Sequence, residues 1–461
     1  MKFDIKQEDL IIKPYKNDDS IYMRKQKGRF QQWRRYIGAV LLATFILLPW
    51  LSFNGSQAIL LDVDAQRFHI FNLTLFPQDF LLLAWLLIVA CFLLFFITTW
   101  LGRIWCGYTC PQTVWTFMYV WVEERIEGNH HQRARLDNSD WSINKLSKKF
   151  AKHSIWLLMS FLTATTFMSY FIVTIDLYKN LFNFDWSLLV TSWVGFFALC
   201  TYGNAGWLRE KMCIYMCPYS RFQSAMFDSN TLVVAYDEQR GENRGRRKRG
   251  QDPKELDLGD CVDCNLCVEV CPVGIDIRNG LQYECIDCGA CIDACDQTMK
   301  AFNYDTGLIS YTSENALKGK KVKLLRPKII GYALISLLMI AAFIATLLLR
   351  VPMDLSIIRD RNVLSRTNID GDIENSYTIN IVNKSQHITR YKLHISGLGG
   401  ITHNANYTIE LQPSEVYSQP ITVTVPFTTI GKDVAEIYIK ATTTDVDNYS
   451  LIRKNSFYGE R

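Results

Sequence analysis

Between Cys261 and Asp296 the chain reads CVDCNLCVEVCPVGIDIRNGLQYECIDCGACIDACD, and eight of the fourteen cysteines lie there. They form two runs of one spacing, Cys261-x2-Cys264-x2-Cys267-x3-Cys271 and Cys285-x2-Cys288-x2-Cys291-x3-Cys295. Three thiolates two residues apart can wrap one iron-sulfur cube, while the fourth, set on a short helix, reaches the neighbouring cube. The spacing therefore assigns Cys261, Cys264, Cys267 and Cys295 to one [4Fe-4S] cluster, and Cys271, Cys285, Cys288 and Cys291 to the other. Pro272 follows the first run as in bacterial ferredoxins, and Asp296 takes the equivalent place in the second. A pair of zinc sites or a disulfide knot is disfavoured: zinc does not need this periodicity, and disulfides are rare in reducing compartments.

At 461 residues, two or three domains are expected. The 49% hydrophobic content and net charge of +5 average over unequal parts, because long apolar runs alternate with segments dense in Lys and Arg. Five runs are long enough to cross a bilayer: Tyr36 to Phe53, about Phe80 to Leu101, about Ser154 to Leu177, about Trp186 to Trp207, and Ile329 to Leu349. Cations crowd the stretch before the first run and the connections after the second and fourth. The other two connections hold only Arg67 and Lys179. Basic loops stay in the cytoplasm, so one topology satisfies all of them, with the N-terminus and the cysteine runs inside and the C-terminus outside. The absence of cysteine after Cys295 agrees, since an exported region meets an oxidising space. The N-terminus lacks a small-residue cleavage site and does not read as a removable signal peptide.

The domains expected are a cytoplasmic segment over 1–35, a four-helix membrane region over 36–207, and a cytoplasmic segment over 208–328 with the ferredoxin part at about 255–300. A fifth helix over 329–350 and an external domain over 351–461 complete the chain. In that tail Tyr377 to Val382, Thr389 to Ile395, Tyr407 to Leu411, Ile421 to Val425 and Ala435 to Ala441 alternate and are rich in β-branched residues. The pattern predicts an immunoglobulin-like β-sandwich without its disulfide. His387, His394 and His403 are either metal ligands or, more simply, scattered surface histidines.

A second cysteine pattern occurs twice at predicted membrane edges, as Cys106-Gly-Tyr-Thr-Cys110-Pro111 and Cys213-Ile-Tyr-Met-Cys217-Pro218. Proline suits the first position of a helix, which would set Cys110 and Cys217 at positive helix ends that favour thiolates. Cys106, Cys110, Cys213 and Cys217 are thus candidates for one redox or copper site contributed by two pseudo-symmetric halves. Met212 and Met216 either add thioether ligands suited to Cu(I) or pack against lipid or helix. Cys91 and Cys200, within apolar spans, read as small core residues. The basic run Arg244, Arg246, Arg247, Lys248 and Arg249 reads as a lipid-headgroup contact or a solvated linker. Nucleic-acid binding is excluded for want of a supporting motif.

Together, CGYTCPQTVW, the stretch from Gly206 through REKMCIYMCPYSRFQSAMFD, and CPVGIDIRNGLQYECIDCGACIDACD closely resemble the cytochrome c oxidase accessory protein family known as CcoG, FixG or RdxA. The resemblance covers nearly the whole chain. It implies an α-helical membrane protein with five transmembrane helices, an inserted bacterial-ferredoxin-like domain and an immunoglobulin-like tail. It also implies reduction of Cu(II) to Cu(I), with copper as substrate, in the assembly of cbb3-type oxidases. The setting it implies is the bacterial inner membrane. The partners are the lipid bilayer, copper-delivery and oxidase-assembly proteins, an unidentified electron donor and, as an open option, a second copy of the chain. A quinol dehydrogenase or electron-transfer subunit is the alternative, because the chain also resembles the polyferredoxin subunits of nitrate and nitrous-oxide respiration. A membrane redox sensor is a third reading, weakened by the lack of a kinase, helix-turn-helix or nucleotide-binding motif.

Overall fold

An apolar stretch such as Phe80–Leu101, with no charged side chain, can satisfy its backbone polar groups away from water only by coiling into a helix. The protein is described by a computed structural model of residues 21–459, apart from 54–55, 72, 250, 252–255, 324, 361–362, 386, 406–407, 431–432 and 445–448. The first twenty residues, position 255 and Tyr407, all named in the expectations above, lie outside the described residues.

In chain order the helices are α1 (Arg29–Leu47), α2 (Phe80–Leu101), α3 (Ile104–Tyr108), α4 (Pro111–Ile126), α5 (His130–Asn138), α6 (Ile143–Met168), α7 (Thr174–Phe182), α8 (Leu188–Thr201) and α9 (Pro218–Met226). They continue with α10 (Glu238–Gly241), α11 (Leu266–Glu269), α12 (Ala290–Phe302), α13 (Glu314–Leu317), α14 (Pro327–Leu348) and α15 (Phe427–Ile430). Among the described residues three helical stretches are long and apolar enough to cross a membrane: Pro77–Leu101, Leu188–Leu208 and Pro327–Leu348, with mean hydropathies of 3.1, 1.3 and 2.4. They coincide with three of the five expected spans. The other two are helical but do not match this pattern: α1 carries Arg29, Arg34 and Arg35, and the N-terminal part of α6 carries Lys145, Lys148, Lys149 and Lys152.

Up to residue 47, and over 88–168 and 180–338, the chain forms one unit. Here α4 and α6 lock through Tyr119, whose hydroxyl donates to the Trp156 carbonyl at 3.2 Å, and through Trp156, whose Nε1 donates to the Tyr119 carbonyl at 3.2 Å. Gly206 lets the chain after α8 pass close to that ring, because a Cβ there would stand 3.1 Å from Trp156. Beneath lies a buried ionic knot: Glu123 pairs with Arg133 at 3.0 Å, Arg209 at 2.7 Å and Lys152 at 3.5 Å. After α8 the chain widens into π-helical turns, Tyr202–Leu208 and Met212–Met216. The cysteine-rich half has its own core of Val270, Val273, Ile275, Ile292, Met299 and Leu308. The antiparallel ribbon of Val233–Tyr236 with Ile309–Thr312 closes it.

Residues 48–87, 169–179 and 339–461 form the second unit. Its tail is a sandwich of two antiparallel sheets. One orders the strands Thr402–His403, Val416–Val425, Ile373–Asn383 and Met353–Arg359; the other orders Thr408–Leu411, Thr389–Ser396, Val434–Thr443 and Ser450–Tyr458. All five strands expected from alternation are present, and their buried faces meet in a core that includes Tyr377, Ile381, Tyr391, Val423, Ile439 and Phe457. No disulfide is needed. Buried Asn383 donates to the carbonyls of His387, Leu411 and Gln412 at 2.9, 3.2 and 3.0 Å and accepts from the Tyr391 hydroxyl at 3.1 Å. In the same unit Asp79 pairs with Arg350 at 2.5 Å and Lys384 at 3.1 Å.

Candidate metal centre

The two ferredoxin-type runs fold alike. Asp263 and Asn265 flank Cys264 in the left-handed region at φ of 50° and 56°, and Asp287 and Gly289 flank Cys288 at 51° and 71°. Asn, Asp and Gly tolerate that conformation best, and alternation of this kind turns backbone N–H groups into concavities that hold anions. The turns then enter α11 and α12, which carry Cys267 and Cys291.

Each loop is pinned by a buried arginine. Arg278 bonds Asp263 at 2.8 Å, Asn265 at 2.7 Å and Asp276 at 2.7 Å. Arg103, just after α2, donates through Nη1 to the carbonyls of Tyr283 and, at 3.1 Å, Cys285. The buried Asp287 carboxylate takes the Arg103 and Val234 amides at 2.8 and 3.0 Å. Burial raises its pKa, and those donors partly offset the shift.

Two narrow cavities lie between the loops. One is lined by Cys261, Cys264, Cys267 and Cys295, the other by Cys267, Cys271, Cys285, Cys288 and Cys291. Burial pushes the thiols of Cys267 and Cys271 up to about 12 and those of Cys285 and Cys291 well above their ordinary value. Bare thiolates would be costly in such places, and iron that neutralises them removes the cost. The donor sets and their apolar walls fit iron-sulfur cubes.

The CxxxCP repeats fold alike as well. Cys110 and Cys217 are N-caps of α4 and α9, with Pro111 and Pro218 in the first turn. Their amides donate to the carbonyls of Trp105 and Met212, both at 2.9 Å. Thr113 Oγ1 donates to the Cys106 carbonyl and Ser220 Oγ to the Cys213 carbonyl, each at 2.6 Å. The repeat is therefore CxxxCPx[T/S]; the hydroxyl position was visible in the sequence but not recognised there. Burial pushes the Cys106 thiol up to about 11 and the Cys213 thiol up to about 12; nearby thiols add to both shifts, and a hydrogen bond from Gln223 Nε2 to Cys106 Sγ at 3.2 Å opposes the first. The four thiols thus sit within electrostatic reach of one another. Among the described residues no three His, Cys, Asp or Glu side chains close into a single-ion site.

The first repeat is seated on the second ferredoxin loop. A Cβ at Gly107 would meet the Ile286 carbonyl oxygen at 2.7 Å and the Cys288 Cα at 3.0 Å. Tyr108 Oη donates to the Cys288 carbonyl at 3.3 Å, and Cys106 packs against the cysteine-rich core. The second repeat joins through Arg103, whose Nη2 lies 3.4 Å from the Ser220 carbonyl, and through the Ser220 and Tyr283 hydroxyls, 3.2 Å apart.

Other sequence candidates fare differently. Met216 is 62% exposed, while Met212 is half-buried. Cys91 is exposed and Cys200 half-buried, contrary to the core reading, because a helix surrounded by lipid is as apolar outside as inside. Within the basic run, Arg247 is not merely solvated: it lies over Tyr304, bonds its hydroxyl at 3.0 Å and reaches the Cys261 carbonyl at 3.4 Å. His387 and His394 are exposed and His403 half-buried.

Comparison with known proteins finds related chains. Residues 208–314 match the 4Fe-4S dicluster domain, and residues 343–460 match the IG-like fold at the C-terminal of FixG. Nitrogen fixation protein FixG of Rhizobium meliloti is 33% identical over 458 residues, covering 89% of this chain and 87% of that protein. Protein RdxA of Cereibacter sphaeroides is 39% identical over 397 residues, 83% of each chain, and Protein RdxB of the same organism is 35% identical over 427 residues, 89% of this chain and 88% of that one. A crystal structure of a FixG-related protein from Vibrio parahaemolyticus matches 24% of this chain and all of its own, at 26% identity and a TM-score of 0.23. With apolar helices long enough to cross a bilayer and an iron-sulfur domain beside them, the chain belongs to the FixG and RdxA family of membrane iron-sulfur electron-transfer proteins.

Proposed function

We propose that this protein reduces Cu(II) to Cu(I) at Cys106, Cys110, Cys213 and Cys217, for the assembly of a cbb3-type cytochrome c oxidase. The observation that carries the reading is the seating of the first thiol repeat on the Cys285–Gly289 loop, which brings a soft-donor site beside the ferredoxin half. Two [4Fe-4S] clusters are assigned, one to Cys261, Cys264, Cys267 and Cys295 and one to Cys271, Cys285, Cys288 and Cys291; the lining of the two cavities supports that division. Bound there, they supply one-electron reducing equivalents.

Cys106 and Cys213, held as thiols by burial, release their protons as copper binds. Sulfur coordination prefers the monovalent ion, so the ligands favour the product: Cu(II) gains one electron and stays on the thiolates as Cu(I). Gln223 orients the Cys106 sulfur, and the Thr113 and Ser220 hydroxyls fix the two thiol turns. Five crossings of the bacterial inner membrane, with α1 and α6 as the additional spans, keep this chemistry on the cytoplasmic side and the sandwich in the periplasm; the cation distribution supports that topology. Copper-delivery and oxidase-assembly proteins are the partners.

The test is copper reduction by dithionite-reduced, iron-replete protein in which the four thiols are replaced by serine. The rate should fall to that of buffer with iron content unchanged; a rate equal to that of the unaltered protein would sink the assignment.

A further inference from the structure

Against the cysteine-rich half lies a cavity of about 360 Å³, walled by α1 and α4 and mostly apolar. Its lining runs from Gln31, Arg34 and Tyr108 along Gly38, Leu42 and Met118. The polar end holds an unusual group. Arg34 is 6% exposed, its Nη2 bonds Gln31, and its guanidinium stacks on Phe117 at 3.6 Å, yet its Nη1 has no nitrogen or oxygen acceptor among the described residues. A buried guanidinium N–H without a partner is costly, and a ligand oxygen would remove that cost.

Two neighbours narrow the ligand class. Ala290 lines both this cavity and the one walled by Cys271, Cys285, Cys288 and Cys291, and the Arg34 guanidinium also leans on the Cys288 sulfur, a weak acceptor that leaves room for a stronger oxygen partner. On the other side Glu124, paired with Lys25 at 3.7 Å, lines both this cavity and an open one bordered by His130 and His131. An apolar channel with one buried, oxygen-seeking cation, Arg34, besides the less buried Arg24, Lys25 and Arg35 at its rim, a thin wall toward a redox site and a carboxylate leading to histidines suits a molecule that gives up electrons on one side and protons on the other.

We propose that this cavity binds the headgroup of a membrane quinol, with Arg34 on a ring oxygen and the isoprenoid tail lying along Gly38 and Leu42. The quinol is then the reductant that copper reduction requires, a role that rests on the function proposed above. One quinol loses two electrons and two protons to become quinone, two Cu(II) become two Cu(I), and the protons leave by Glu124 toward His130 and His131.

The experiment is photolabelling of the full-length, iron-replete protein in nanodiscs with an azido-quinone, followed by peptide mapping. Equilibrium binding of a short-tailed quinone is measured in parallel. Label should fall within residues 23–42 or 108–124, and affinity should drop by about tenfold or more in both Ala39→Trp, which fills the channel, and Arg34→Gln, which removes the cation, with iron content retained. Label elsewhere, or affinity unchanged in both variants, overturns the proposal. So does displacement of the probe by phosphatidylglycerol as effectively as by unlabelled quinone, which would make the cavity a lipid seat. Dithionite-driven copper reduction by the unaltered protein separates the two readings: its absence removes the copper assignment while the labelling result stands.

Discussion

Gly107 lies directly on the carbonyl oxygen of Ile286, leaving no room for a side chain: a Cβ would stand 2.7 Å from that oxygen and 3.0 Å from the Cys288 Cα. Both obstacles are backbone, so neither can swing aside. Gly107→Ala should cost about 1–3 kcal/mol, as overpacking of a close contact does. The measurement is thermal unfolding of the iron-replete protein followed by cluster absorbance. Gly195→Ala, where a Cβ meets nothing within 4 Å, is the control. Equal melting temperatures in the two variants would mean that the thiol turn is not seated on the loop.

Asp287 and Asp263 occupy equivalent places in the two ferredoxin loops but do different work. Asp287 accepts two backbone amides while buried, whereas Asp263 meets Arg278 with its side chain 39% exposed. Asn at 287 keeps one acceptor and leaves an amide unmet, a loss of about 1–3 kcal/mol. Under a chelator, Asp287→Asn should therefore release iron faster than Asp263→Asn. The reverse order would refute the assignment of the structural load to Asp287.

Thr113→Val and Ser220→Ala each remove the hydroxyl that ties a thiol turn to the carbonyl of its first cysteine. On the proposed copper site, a net hydrogen bond of about 1 kcal/mol corresponds to about a fivefold weaker Cu(I) affinity, read by competition with a chromogenic chelator. If the two repeats build one site, the double variant should depart from the product of the single effects. Strict additivity would point to two separate sites.

Glu123 is the hub of a knot with Arg133, Arg209 and Lys152. Burial raises its pKa, but Arg209, Lys152 and Arg133 together outweigh that and hold its carboxyl below the usual range. Its contribution to stability is therefore present above the unfolded carboxylate pKa and is lost as pH falls through the lower folded value. Glu123→Gln leaves buried cations short of a partner and should cost about 3–5 kcal/mol. A melting temperature unchanged at neutral pH would show that the knot is dispensable.

The sequence was most legible where spacing encodes geometry. The two cysteine runs, the proline after each second thiol and the alternating strands of the tail all appear where local periodicity sets them. Less legible was whatever depends on contact between distant segments. Arg103 is one of the cations that crowd the connection after the second apolar run, yet it ties the first thiol repeat to Tyr283 and Cys285; Arg278 carried no signal in the sequence, yet it braces the first loop. Arg247, counted within a basic run, folds onto Tyr304 because a guanidinium stacks as readily as it solvates. α1 and α6 show the same limit from another side, since apolar residues and buried cations share one helix.

Tyr108 and Cys288 meet although they are 180 residues apart in the chain. At ribosomal rates of about 5–20 residues per second, roughly 10–35 s pass between synthesis of the first thiol turn and synthesis of the loop it will rest on. During that interval Cys106 lacks the core it will pack against. The contact is thus completed only by the later half, and the order of synthesis leaves the first thiol turn waiting for the surface it will rest on.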